Sequence, residues 1–104
     1  MISNVILAAL AVAGGAEKPV PLPTVIQCTL SLARAQAQSE QSPAAIADAV
    51  TQSCSAPLDV FAARARDPEA SQQERDTNAA LHRGLLLRLR EMALTMVERE
   101  RAAQ

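Results

Sequence analysis

The chain has 104 residues and a formal net charge of -1, with 49% apolar residues, many of them alanine, and Phe61 as its only aromatic residue. That length allows one domain, and a Leu/Ile/Val/Ala core with a single ring is thin enough to call for a staple or a partner. Near-neutral charge without Trp or Tyr excludes a phosphate-tracking surface and a base-stacking platform, so nucleic acid is not an expected partner.

The N-terminal stretch MISNVILAALAVAGGAEKP carries no charged side chain before Glu17, and its apolar run spans Val5 to Ala13. That is the length of a secretory h-region and short of the ~20 residues that cross a bilayer. Small residues at -3 and -1 suit cleavage after Ala13 or after Ala16, so residues 1–16 are expected to be a signal peptide. The n-region departs from the usual pattern, because it has no Lys or Arg. The expected localisation is periplasmic or secreted, with no stable membrane insertion after cleavage.

KPVPLP, within residues 17–23, alternates proline with apolar residues and reads as an extended leader. The single helical domain is expected over 24–104. Thr24 is the expected N-cap of a first helix over about 25 to 38, with Gln27 in a capping-box relationship. Val25, Cys28, Leu32 and Ala35 form one stripe of that helix, with Ile26, Leu30 and Ala33 beside it.

After the polar break SEQSP, Ser42 and Pro43 restart a helix as N-cap and first helical residue. Apolar spacing at Ile46, Val50, Cys54, Leu58, Phe61 and Ala65 keeps its phase across Pro57. The expectation is one helix over about 43 to 66, kinked near Ser53. Asp67-Pro68-Glu69 supplies another cap, proline and acidic first turn, followed by a solvated piece as far as Asn78. A strongly amphipathic helix is then expected over about 78 to 102. Leu81, Leu85, Leu86, Leu89, Met92, Ala93, Met96 and Val97 lie on one face, with Arg83, Arg88, Arg90, Glu91, Thr95 and Glu98 opposite. There is no strand-like alternation. The fold class is all-α: a three-helix arrangement in which a disulfide-linked antiparallel helical hairpin packs against a longer C-terminal amphipathic helix.

The bridge follows from spacing. Gln41, in the polar break, lies midway between Cys28 and Cys54, and residues equidistant from a helical turn stand at the same height. Each Cys also falls on the apolar stripe of its own helix. With an export signal, this predicts the disulfide Cys28–Cys54. A redox pair normally reads CxxC, and zinc would need two further ligands from a chain with one histidine.

No catalytic constellation appears. His82 sits in an apolar stripe without an acidic sequence neighbour, and the C-terminal carboxylates Glu91, Glu98 and Glu100 alternate with arginines, as on a solvated helix face. Neither a glycine-rich phosphate loop nor any other cofactor motif is present, and no small-molecule substrate is indicated. Met92 and Met96 share a face and read as adaptable core residues. A soft-metal role for His82, Met92 and Met96 needs two copies, because Met92 is ten residues, about 15 Å of helix, from His82. Leu87 and Leu94, a heptad apart on the polar side, form the candidate partner surface. Gly84 weakens helix propensity by about 1 kcal/mol and suits a close helix approach.

The expected function is a structural or protein-interaction module, without catalysis or cofactor, that binds another protein or a second copy of itself. Metal handling in the periplasm is the alternative from a different class. The general plan (small, helical, exported, one disulfide) also resembles that of the small periplasmic acid-stress chaperones. That resemblance implies a chaperone-like alternative, and it is one of plan alone, supplying no site residues.

Overall fold

The computed structural model describes residues 19–104, so the expected signal peptide and the first residues of the leader lie outside the described residues. Among the described residues the fold is all-α. Its helices are α1 (Leu22–Gln36), α2 (Pro43–Cys54), α3 (Asp59–Ala65) and α4 (Gln72–Ala102), with a 3-10 turn at Ala56–Leu58 between α2 and α3.

α1 starts earlier than expected. Its N-cap is Pro21 rather than Thr24, with no side-chain cap, and the Val25 N–H donates to the Pro21 carbonyl at 3.0 Å. The first-turn N–H groups of a helix have no intrahelical partner, so Pro23 in that turn loses nothing, and the extended leader ends at Pro21. The buried stripe also differs from the expected one. Val25, Thr29, Ala33 and Ala37 face inward, whereas Cys28 and Ala35 are exposed. Thr29 is fully buried, and its hydroxyl donates to the Val25 carbonyl at 2.8 Å. That bond satisfies the hydroxyl locally, which is how a polar residue can occupy a helix seam.

α2 begins as expected, with Ser42 Oγ accepting from the Ala45 N–H at 3.2 Å and Pro43 at the first position. The expected kinked helix over 43 to 66 is instead broken. Pro57 has no N–H for the Ser53 carbonyl, and its ring opposes continuation. The chain leaves the α conformation at Ser55 (φ -91°, ψ 0°), tightens into the 3-10 turn and resumes as α3. The Leu58 N–H closes that turn on the Ser55 carbonyl at 2.8 Å, and Leu58 ends up fully buried.

The final helix likewise begins earlier, at Gln72 rather than near 78, and it is 31 residues long. Ser71 Oγ accepts from the Glu74 N–H at 3.1 Å, while Glu74 Oε1 accepts from the Ser71 N–H at 3.0 Å. This reciprocal capping box outweighs the polar composition of the first two turns. Asp67-Pro68-Glu69 forms no helix start. Asp67 Oδ1 accepts from the Glu69 N–H at 2.9 Å, and the Arg75 guanidinium donates to the Asp67 and Ala70 carbonyls at 3.2 and 2.6 Å, locking the turn.

Two apolar clusters lie along α4. The first joins Ala33, Ile46, Ala47, Val50, Cys54, Ala93 and Val97, and the second joins Val25, Leu58 and Leu89, with Phe61, Leu85 and Leu86 packed against it. Ala33, Ala47 and Ala93, one from each of α1, α2 and α4, are all completely buried. Small residues at such a junction allow helix axes to approach to about 8 Å. Burying Ile46, Val50 and Val97 contributes roughly 1.5–3 kcal/mol each.

Candidate interaction surface

The hairpin is closed at the expected place. Cys28 and Cys54 form a disulfide with a Cα–Cα distance of 5.8 Å, joining α1 to the last residue of α2. Cys54 is buried, whereas Cys28 faces solvent. Level was read correctly from the spacing. The face of Cys28 was not, since helix α1 turns Thr29 inward instead.

The open end of the hairpin is fixed by α4. The Arg101 guanidinium donates to the carbonyls of Ala37, Ser39 and Gln41 at 3.1, 2.7 and 2.6 Å. These are the carbonyls left without helical partners where the chain turns between α1 and α2. Two ion pairs tie α4 laterally, Arg34 with Glu100 at 3.3 Å and Arg90 with Asp48 at 2.6 Å. Both are largely exposed and add little energy, but they fix the register of α4 parallel to α1 and antiparallel to α2. The Glu74 carboxyl is held below its ordinary range, chiefly by the Ser71 backbone N–H and then by the Ser71 hydroxyl.

Between these fixed points one side of the molecule is apolar and open. A groove of about 460 Å³ runs between α1 and α4, lined by Leu30, Met92, Met96 and Thr95 with Arg88, Glu91 and Arg99 at its edges. Separate depressions adjoin it, one on α1 at Pro23 and Ile26 that shares Leu30, and one on α4 at Leu81, Gly84 and Leu85 that shares Arg88. Leu81, which helical spacing assigned to the core face, is 45% exposed. α3 and the hairpin reach α4 from other directions and leave this band uncovered. A Cβ at Gly84 would meet nothing within 4 Å, so within this chain the glycine serves no close helix contact.

The expected partner residues separate. Leu87 is 63% exposed and lies in a separate, smaller depression with Asp48, Thr51, Leu86 and Arg90, on the α2 side of α4. Leu94 is half-buried and packs against the first cluster. His82 is half-buried and does not line the groove that holds Met92 and Met96. Among the described residues, no three of His, Cys, Asp and Glu gather as a metal site would require. No described helix is long and apolar enough to cross a membrane.

Sequence reasoning missed Arg101 and the groove. Arg101 reads as one of several alternating charges, and nothing near it in sequence identifies carbonyls 60 to 64 residues away as its partners. The groove had a partial signal in Leu30, placed beside the apolar stripe of the first helix, and in Met92 and Met96, which were read as core. Comparison with protein families, curated proteins and solved structures gives no match. The disulfide accords with an oxidising, exported setting, where such bridges persist.

Proposed function

We propose that this chain is an exported helical module, periplasmic or secreted, that acts by binding protein surfaces and carries out no catalysis. The observation that carries the reading is the open apolar surface along α1 and α4, where Leu30, Met92 and Met96 line one depression and Leu81 and Leu85 line the next, with Arg88 between them. Contiguous apolar surface that a small protein leaves in water costs solubility, and such patches are retained where something docks on them. The rigid support is also in place. The disulfide holds α1 to α2 and the Arg101 cap holds α4 to the turn between them, so the groove is preformed and little conformational entropy is lost on binding.

A photo-cross-linking side chain placed at Leu81, and separately at Ala49 on the exposed side of α2, tests this in the compartment where the protein resides. Cross-links to polypeptide from Leu81 and not from Ala49 are expected. Equal yields at both positions, or none at Leu81, contradict the reading.

A further inference from the structure

We propose that the Cys28–Cys54 bridge is a one-sided thiol-exchange site. An external thiolate attacks the Cys28 sulfur and forms a mixed disulfide there, with Cys54 as the leaving thiol.

Access separates the two sulfurs. A thiolate displaces one sulfur of a disulfide by bonding to the other, in line with the S–S bond, so the attacked sulfur needs an open side. Cys28 is exposed, midway along α1, and its side chain is no more than a Cβ and the sulfur. Thr24, Ser31 and Ala35 share that face of α1 and are exposed as well, so only short side chains surround the approach. Cys54 is 4% exposed and sits in the first apolar cluster with Ile46, Val50 and Val97, which leaves a nucleophile no open line to its sulfur.

Charge does not offset this difference. Residues 24–32 and 50–58 contain no Asp, Glu, Lys, Arg or His, so no charged sequence neighbour activates one sulfur over the other.

The exchange balances without a further reagent. The Cys28–Cys54 bond breaks as the bond from the attacking sulfur to Cys28 forms. The electron pair leaves on Cys54, which takes a proton from water. The attacking sulfur is thereby oxidised to the disulfide level, and Cys54 is reduced to the thiol. The incoming group hangs from an exposed position while Cys54 keeps its place in the cluster, so no packed side chain has to move. Burial of Val25, Thr29 and Ala33 still holds α1 on the fold. Attack by the Cys54 thiolate on Cys28 reverses the step and expels the added thiol. A small thiol and a thiol–disulfide oxidoreductase both present the required thiolate.

The test incubates the oxidised wild-type protein with glutathione, quenches it in acid and locates the adducts by mass spectrometry of its peptides, natively and in concentrated urea. Native protein is expected to carry the adduct on Cys28 in preference to Cys54 by at least about tenfold, because access governs which sulfur is attacked. In urea both sulfurs are open, and the ratio falls close to unity. A parallel incubation with a thiol–disulfide oxidoreductase lacking its resolving cysteine distinguishes the sources. A covalent complex joined through Cys28 assigns the site to a protein thiol, and glutathione adducts alone assign it to small thiols. Equal native shares, an excess on Cys54, adducts that form only in urea, or a ratio that urea leaves unchanged overturns the proposal.

Discussion

Reducing the Cys28–Cys54 bridge should unfold a large part of this protein's margin. Reduction leaves every side chain in place except for the bond itself, so its effect isolates the restraint on the unfolded chain. The bridge spans 26 residues of sequence, and loop-closure entropy for a ring of that size is worth about 3.5 kcal/mol at room temperature. Domain stabilities run at about 5–15 kcal/mol, so this is a quarter or more of the total. For a domain of this size each kcal/mol moves Tm by about 4–8 °C, which gives an expected fall of roughly 14–28 °C. Thermal melts followed by circular dichroism, with and without a phosphine reductant, measure it. Cys28 faces solvent, so the reagent reaches the bond without prior unfolding. The double variant Cys28→Ala/Cys54→Ala should fall slightly further, since Cys54 is buried in the first cluster and its truncation leaves a small void. A fall of less than about 5 °C on reduction would refute the reasoning, because helix packing alone would then hold the hairpin.

Three further outcomes follow from local chemistry. Arg101→Ala frees the carbonyls of Ala37, Ser39 and Gln41 and should cost about 1–3 kcal/mol in urea denaturation, with Arg101→Lys recovering little because an ammonium cannot reproduce the planar fork. Thr29→Val should change stability by less than about 1 kcal/mol, since the Val25 carbonyl keeps its helical N–H donor, whereas Thr29→Ser should cost about 1 kcal/mol for the methyl-sized gap. The Glu74 carboxyl is depressed in the folded state, so its stabilisation of the α4 N-terminus is complete above the ordinary value of 4.5 and is lost as pH falls through the lower folded value. The protection of the Glu74 and Arg75 amides, taken relative to their intrinsic exchange rates, should fall across that acid interval, and Glu74→Gln, which keeps the capping bond without the titration, should remove that fall.

Much of the architecture was legible because local rules and tertiary packing agree there. Ser42-Pro43 is a cap and a helix start by chemistry that needs no neighbours, and α2 begins there. The symmetrical placement of the cysteines about Gln41 states a height, and height survives errors in helix phase. Face did not survive them. Reading α1 as a stripe through Cys28 and Leu32 assumes that hydrophobicity decides which side turns inward, but the hydroxyl of Thr29 is satisfied by its own helix and can be buried at little cost. The start of α4 was missed for a different reason. The run from Ser71 to Asn78 is almost wholly polar, yet Ser71 and Glu74 stand at capping-box spacing, so the signal was present and composition obscured it.

The sequence by itself determined the helical class, the bridge, the hairpin and the long C-terminal amphipath, since periodicity, caps and loop symmetry act over a few residues or through simple counting. The break at Ser55 does not belong to that group, because Pro57 permits a kink as well as a break, and the apolar spacing across it reads as one kinked helix. Only the tertiary structure decided which side of α4 stays uncovered. Two helices and the short α3 share that helix, and the angles at which they approach depend on contacts such as Arg101 with Ala37, between residues more than 60 apart in the chain. Those angles leave Leu81 in water and open a groove beside Met92 and Met96, where one-dimensional periodicity places all three in the core.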